Sequence, residues 1–214
     1  LKWKVTNLHP FLFEGPPFPE KLKTLSITDP EILQHPANPI SNLLQNSPHI
    51  GLLTKLTLNT PNPKNSSFLR SLYSVLSNLK SLKKLTLHHT LFDPTKFSGL
   101  KGLQTLETFK LSPHNYWRDK DDPIPFDLSR KFLNICREMP SLCKLGTIVT
   151  ISSTAEQAEF LSQFQRLLAH PRLKKLPVFL SSPELGSDFS KFVSGVIKKI
   201  VSGKTKVEEI QTIP

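Results

Sequence analysis

Leu82-Lys83-Lys84-Leu85-Thr86-Leu87 is the stretch on which the fold turns. Near-copies stand at residues 22–27 (LKTLSI), 53–58 (LTKLTL), 106–111 (LETFKL) and 173–178 (LKKLPV), with weaker versions beginning at Leu142 (LCKLGT) and Val207 (VEEIQT). Apolar side chains fall at the first, fourth and sixth positions, and the last two flank a more polar residue, as a half-buried strand requires. Recurrence of such a phrase predicts a stack of similar units. The copies start at 22, 53, 82, 106, 142, 173 and 207, so their spacings are 31, 29, 24, 36, 31 and 34 residues, room for a strand, a helix and two connections. Strand after helix after strand implies parallel pairing, because only a crossover returns the chain to the same end of a sheet.

Residues 1–21 read as a degenerate strand, with Trp3, Val5 and Leu8 alternating, followed by a Pro- and Phe-rich loop. A short helical segment is expected around Ile40, Leu43 and Leu44, after Pro36 and Pro39 have held back any earlier one. Between the second and third phrases, Asn65-Ser66-Ser67 supplies N-caps for a helix carrying Phe68, Leu69, Leu72, Val75, Leu76 and Leu79 at helical spacing. The next connection holds Phe97 and Leu100 but is broken by Gly99 and Gly102, so a turn or brief helix is expected. Further helices are predicted with Phe132, Leu133 and Cys136, ending near Pro140, and with Ala158, Leu161, Phe164, Leu167 and Leu168, capped by a Thr154–Gln157 box. The apolar stripe of Asp188 to Val201 reads as another sheet-covering helix, although its lysines alone would also suit a membrane surface.

A doubly wound sheet would bury both faces of its strands, which then read as continuous apolar runs. Here the residues between the buried positions are Ser26, Thr57, Thr86 and Lys110, so one face is expected to be wet. No GxGxxG or GxxxxGK[ST] stands ready to cradle a phosphate, which counts against a nucleotide-binding enzyme. On these residues the repeated LxxLxL resembles a leucine-rich-repeat protein. The lead-ins Asn78-Leu79-Lys80-Ser81-Leu82, Met139-Pro140-Ser141-Leu142 and His170-Pro171-Arg172-Leu173 are similar to those of ribonuclease-inhibitor-like and F-box-associated repeats. The resemblance implies an α/β solenoid, a horseshoe of about six to seven irregular repeats over residues 22–214, with parallel strands on a concave face and helices on a convex one. It also implies a protein-binding role, with substrate recognition in a ubiquitin ligase as the F-box version. The chain departs from the family where an Asn or Cys usually follows the strand, having Pro30, Pro61, Thr90, His114, Thr150 and Ser181 instead.

The 214 residues carry 28 Lys and Arg against 17 Asp and Glu, a net charge of +11. Residues 1–107 hold twelve basic and six acidic groups and residues 108–214 sixteen and eleven, so the excess is spread rather than gathered in a tail. An acidic protein partner fits such a surface, and an RNA-associated or ribonucleoprotein subunit is the alternative. No apolar run reaches the length of a membrane span. Two cysteines, Cys136 and Cys143, are too few for a disulfide framework and lack zinc-site spacing, which points to an intracellular, cytoplasmic or nuclear protein. The chain opens inside an apparent strand without an initiator Met, so a longer native chain or a neighbouring subunit is expected at its ends.

Candidate binding residues follow from the phrase. Lys55, Lys84, Lys144 and Lys175 occupy one column of the wet face, Thr57, Thr86 and Lys110 the next, and Asn59 and His88 a third. Adjacent parallel strands make Lys55 and Lys84 neighbours. The insertion Ser112 to Pro125 adds Tyr116, Trp117 and Arg118, residue types that dominate interface energetics. No cofactor is implied and no metal is expected: His88 and His89 should point to opposite faces of a strand, and Asp119-Lys-Asp-Asp122 lacks the glycine and distal glutamate of a calcium loop. Scattered histidines give no nucleophile–base set, so a non-enzymatic protein is expected, binding through the concave face and the rim loops.

Overall fold

In a computed structural model of the chain, residues 2–5, 22–27, 50–59, 66–97, 101–112, 124–151, 153–174, 178–181 and 195 are described. The chain divides into two compact units, Leu1–His114 and Asn115–Pro214.

The first unit is built on five strands, β1 (Lys2–Val5), β2 (Thr24–Ile27), β3 (Lys55–Leu58), β4 (Lys84–His88) and β5 (Thr108–Ser112). They pair in chain order, all parallel. The repeated phrase explains the register. Leu25, Leu56, Leu85 and Phe109 lie in one row across the strands, and Ile27, Leu58, Leu87 and Leu111 in another. All eight are at most 2% exposed. Burying each such side chain contributes about 1.5–3 kcal/mol, so the two rows are the main source of cohesion in this unit.

The first leucine of each phrase closes a turn that aims the chain into its strand. Leu53, Leu82 and Leu106 donate their backbone N–H to the carbonyls of Ile50, Leu79 and Leu103 at 3.0–3.1 Å. The carbonyl of the residue preceding each of β2, β3 and β4, namely Lys23, Thr54 and Lys83, then accepts two N–H groups from the next strand's entrance. Register is thus fixed at the strand starts as well as by the buried rows.

The returns between strands differ from one another. Helix α1 (Ser66–Asn78) leads to β4 with Leu72, Val75 and Leu76 buried, and Leu79 just beyond it. Tyr73 is buried on the same helix. From β4 to β5 the chain makes only a 3-10 turn (His89–Leu91), the single-turn helix α2 (Pro94–Phe97) and a second 3-10 segment (Lys101–Thr105). Aromatic rings fill the space there: Phe97 stacks on Phe109 at 4.8 Å between centroids, with Phe92 at 5.4 Å and Tyr73 edge-on at 6.1 Å from Phe97.

The second unit contains α3 (Phe126–Arg137), β6 (Lys144–Thr150), α4 (Thr154–Leu168) and β7 (Val178–Ser181), with β6 and β7 parallel. Phe132, Leu133 and Cys136 of α3 are buried, as are Phe160, Phe164 and Leu167 of α4. Arg130 ties the helices, donating to Glu159 at 3.0 Å and pairing with Asp127 on its own helix. Two expectations shift here. The N-cap of α4 is Ser153, whose Oγ accepts from the Glu156 N–H at 3.2 Å, one residue before the expected Thr154. The buried stripe runs through Phe160 rather than Ala158, which is exposed, because the largest apolar side chains set the phase.

The expected horseshoe of six to seven leucine-rich repeats is overturned. Taken by itself, the first unit is a five-stranded, all-parallel α/β sheet, not a run of like solenoid repeats, and the second holds the parallel pair β6 and β7. Among the described residues a strand and its lead-in turn recur, but the returns are unequal: helices of 13, 12 and 15 residues precede β4, β6 and β7, whereas the return from β4 to β5 has only the four-residue α2 between 3-10 segments. A solenoid needs equivalent units whose neighbours stack alike. Leucine positions specify strands and rows locally, whereas the described returns have unequal lengths. The expected helix around Ile40, the stripe of Asp188 to Val201 apart from Gly195, and the weaker phrase beginning at Val207 lie outside the described residues.

Candidate functional site

The strand rows that alternate with the leucines make a polar face on the first unit. Register places Lys2, Thr24, Lys55, Lys84 and Thr108 in one row and Lys4, Ser26, Thr57, Thr86 and Lys110 in the next. These ten positions hold five lysines, five hydroxyl residues and no acid. Of the described returns, the one between β4 and β5 packs Phe97 against Phe109 of the buried rows, on one side of the sheet. The leucine rows face that side. In β2 to β5 the polar rows are half-buried or exposed, with Lys55 and Lys84 the exposed pair.

Lys55 and Lys84 stand directly opposite each other across β3 and β4. Among the described residues, neither has a carboxylate partner. Lys83, one residue before, points elsewhere and pairs with Glu107 at 3.0 Å. The nearest acidic residue beyond β4, Asp93, is committed to its own turn, accepting from the Thr95 backbone N–H at 3.0 Å, the Thr95 hydroxyl at 2.6 Å and the Lys96 N–H at 3.3 Å.

The structure sorts the other candidates. Thr57, Thr86 and Lys110 share the second polar row. Asn59 follows β3, its N–H donating to the Ile27 carbonyl at 2.9 Å and its Oδ1 buried. His88 does not present a side chain to solvent: it is fully buried. His89 is 3% exposed, and the two rings lie 4.6 Å apart at 33° instead of on opposite faces. A 3-10 turn beginning at His89 ends the strand alternation, which is why the expectation fails. Lys144 is half-buried at the start of β6 and belongs to the second unit. Tyr116, Trp117, Arg118 and Lys175 lie outside the described residues. Sequence reading missed Lys2 and Lys4, which enter the polar rows only once β1 is seen to pair in register with β2; the alternation of Trp3 and Val5 was the available signal.

Among the described residues, no group of three His, Cys, Asp or Glu side chains is placed to hold a metal ion. No described helix is long and apolar enough to cross a membrane. No model of a known protein family matches the sequence, and no curated protein does. The binding mode expected from the repeat resemblance, a concave surface with rim loops in a scaffold or substrate-recognition subunit, is corrected with the fold. With the horseshoe overturned, nothing among the described residues supports a concave binding surface of that kind, and the ribonucleoprotein alternative is left with net charge alone.

Proposed function

We propose that the chain is a non-enzymatic, intracellular binding protein that takes an acidic protein partner on the polar face of its five-stranded sheet. The observation that carries this reading is the register of Lys55 against Lys84, both exposed and, among the described residues, without a carboxylate partner, within rows that contain only lysine, serine and threonine. Like charges directly opposite in a sheet are unfavourable, and an anionic partner relieves that repulsion. Hydroxyls from Thr57 and Thr86 supply neutral donors beside the ammonium groups. The ten positions include no aromatic residue on which a base could stack, and Trp3 falls in the leucine row, so an acidic protein fits better than a nucleic acid. Both cysteines are free, in keeping with a reducing compartment.

A Glu-rich synthetic peptide titrated into the full chain tests the reading. Affinity should fall as salt rises, and Lys55→Glu/Lys84→Glu should weaken binding by roughly a hundredfold through repulsion and lost attraction. Unchanged affinity in that variant would remove the proposed site.

A further inference from the structure

We propose that the group seated between Lys55 and Lys84 is a phosphoryl group, so that the partner segment is one phosphorylated on serine or threonine. This rests on the sheet-face reading above and narrows it. The two lysines are directly opposed on neighbouring parallel strands. Such strands lie about 4.8 Å apart, close enough for two flexible ammonium groups to reach one tetrahedral anion. A single carboxylate brings one negative charge to this pair of cations. A phosphate monoester brings about −1.5 to −2 and three acceptor oxygens, so it neutralises both lysines at once.

The surroundings suit the same group. Thr24 flanks Lys55 and Thr108 flanks Lys84 in the same row, and Thr57 and Thr86 stand two residues along the same strands. Hydroxyl donors therefore border the lysine pair, and no acidic residue occupies the rows to repel an anion. Lysine recognises phosphate as a point charge and needs no fork geometry, unlike arginine. Lys83, by contrast, is already paired with Glu107, which leaves the opposed pair as the local cationic focus.

The test uses the full chain and three fluorescent peptides of one acidic sequence, bearing serine, glutamate or phosphoserine at the central position, together with a single-stranded RNA of similar charge. The phosphoserine peptide should bind roughly tenfold more tightly than the glutamate peptide, as expected for an added charge and acceptor. That gap should close in Lys55→Gln and in Lys84→Gln, whose folding is checked by circular dichroism. It should persist in Lys96→Gln, a surface lysine outside the rows. Equal binding of the glutamate and phosphoserine peptides would overturn the phosphoryl inference while leaving the acidic-partner reading intact. Absence of binding by all three peptides would overturn both. RNA binding as tight as that of the phosphopeptide, or a gap insensitive to both lysines, would also overturn the assignment.

Discussion

At the scale of single residues, Tyr73 and Asp93 show how the irregular return after β4 is held. The Tyr73 hydroxyl donates to the Leu91 carbonyl at 3.0 Å and accepts from the Asp93 N–H at 2.6 Å, so one side chain satisfies two backbone groups of the turn. Burial raises its phenol well above the ordinary value, the Asp93 N–H offsetting only part of this. Tyr73→Phe should therefore cost about 1–3 kcal/mol in urea unfolding, the range for stranding buried polar groups. Asp93 caps α2. Burial pushes its carboxyl up, but hydrogen bonds from Thr95 and Lys96 outweigh this and leave it below the usual carboxylate value. A lowered folded-state pKa stabilises above the unfolded value and is lost as pH falls through the folded one. Asp93→Ala should then cost about 0.5–2 kcal/mol at neutral pH, with the difference from wild type shrinking below about pH 4. A difference that stayed constant down to pH 2 would contradict this account.

At the scale of elements, the strands were legible because period-two alternation is a local property. Leu25, Leu56 and Leu85 could be assigned to one buried row from the phrase alone, and Lys55 could be set beside Lys84. The returns were legible in part. Apolar spacing announced α1, α3 and α4, and Gly99 and Gly102 announced the brief α2, but the aromatic packing around Phe97 depends on contacts between residues distant in sequence. His89 failed for a related reason, since alternation was extended one residue past the end of β4, where a 3-10 turn begins; His88 stands within β4 on the polar side of the alternation and is buried all the same. The two faces of β4 should respond differently to substitution. Leu85→Ala, in the buried row, should cost about 2–5 kcal/mol. Thr86→Ala, its neighbour in the polar row, should change stability by no more than about 0.5 kcal/mol. Denaturant midpoints of the two variants measure this directly, and comparable losses would mean that the polar face is covered.

At the scale of the whole molecule, repetition in the sequence suggested one continuous stack, yet the chain separates into units meeting at His114 and Asn115. Leucine rows and the Phe92, Phe97 and Phe109 cluster hold the first, while Phe132, Leu133, Cys136, Phe160, Phe164 and Leu167 hold the second. A recurring leucine phrase cannot reveal such a division, because the phrase is local and the division depends on which distant residues pack together. Units with their own cores open separately when either is weakened. Phe160→Ala removes a ring stacked on Phe164 at 5.3 Å and should destabilise the second unit by about 3–5 kcal/mol. In hydrogen exchange on the full chain, amides of α3, α4 and β6 should then lose protection while those of β3, β4 and β5 keep it. Equal loss across both sets would show that the leucine rows and the phenylalanine core unfold as one cooperative body, and the division at His114 would then have no energetic meaning.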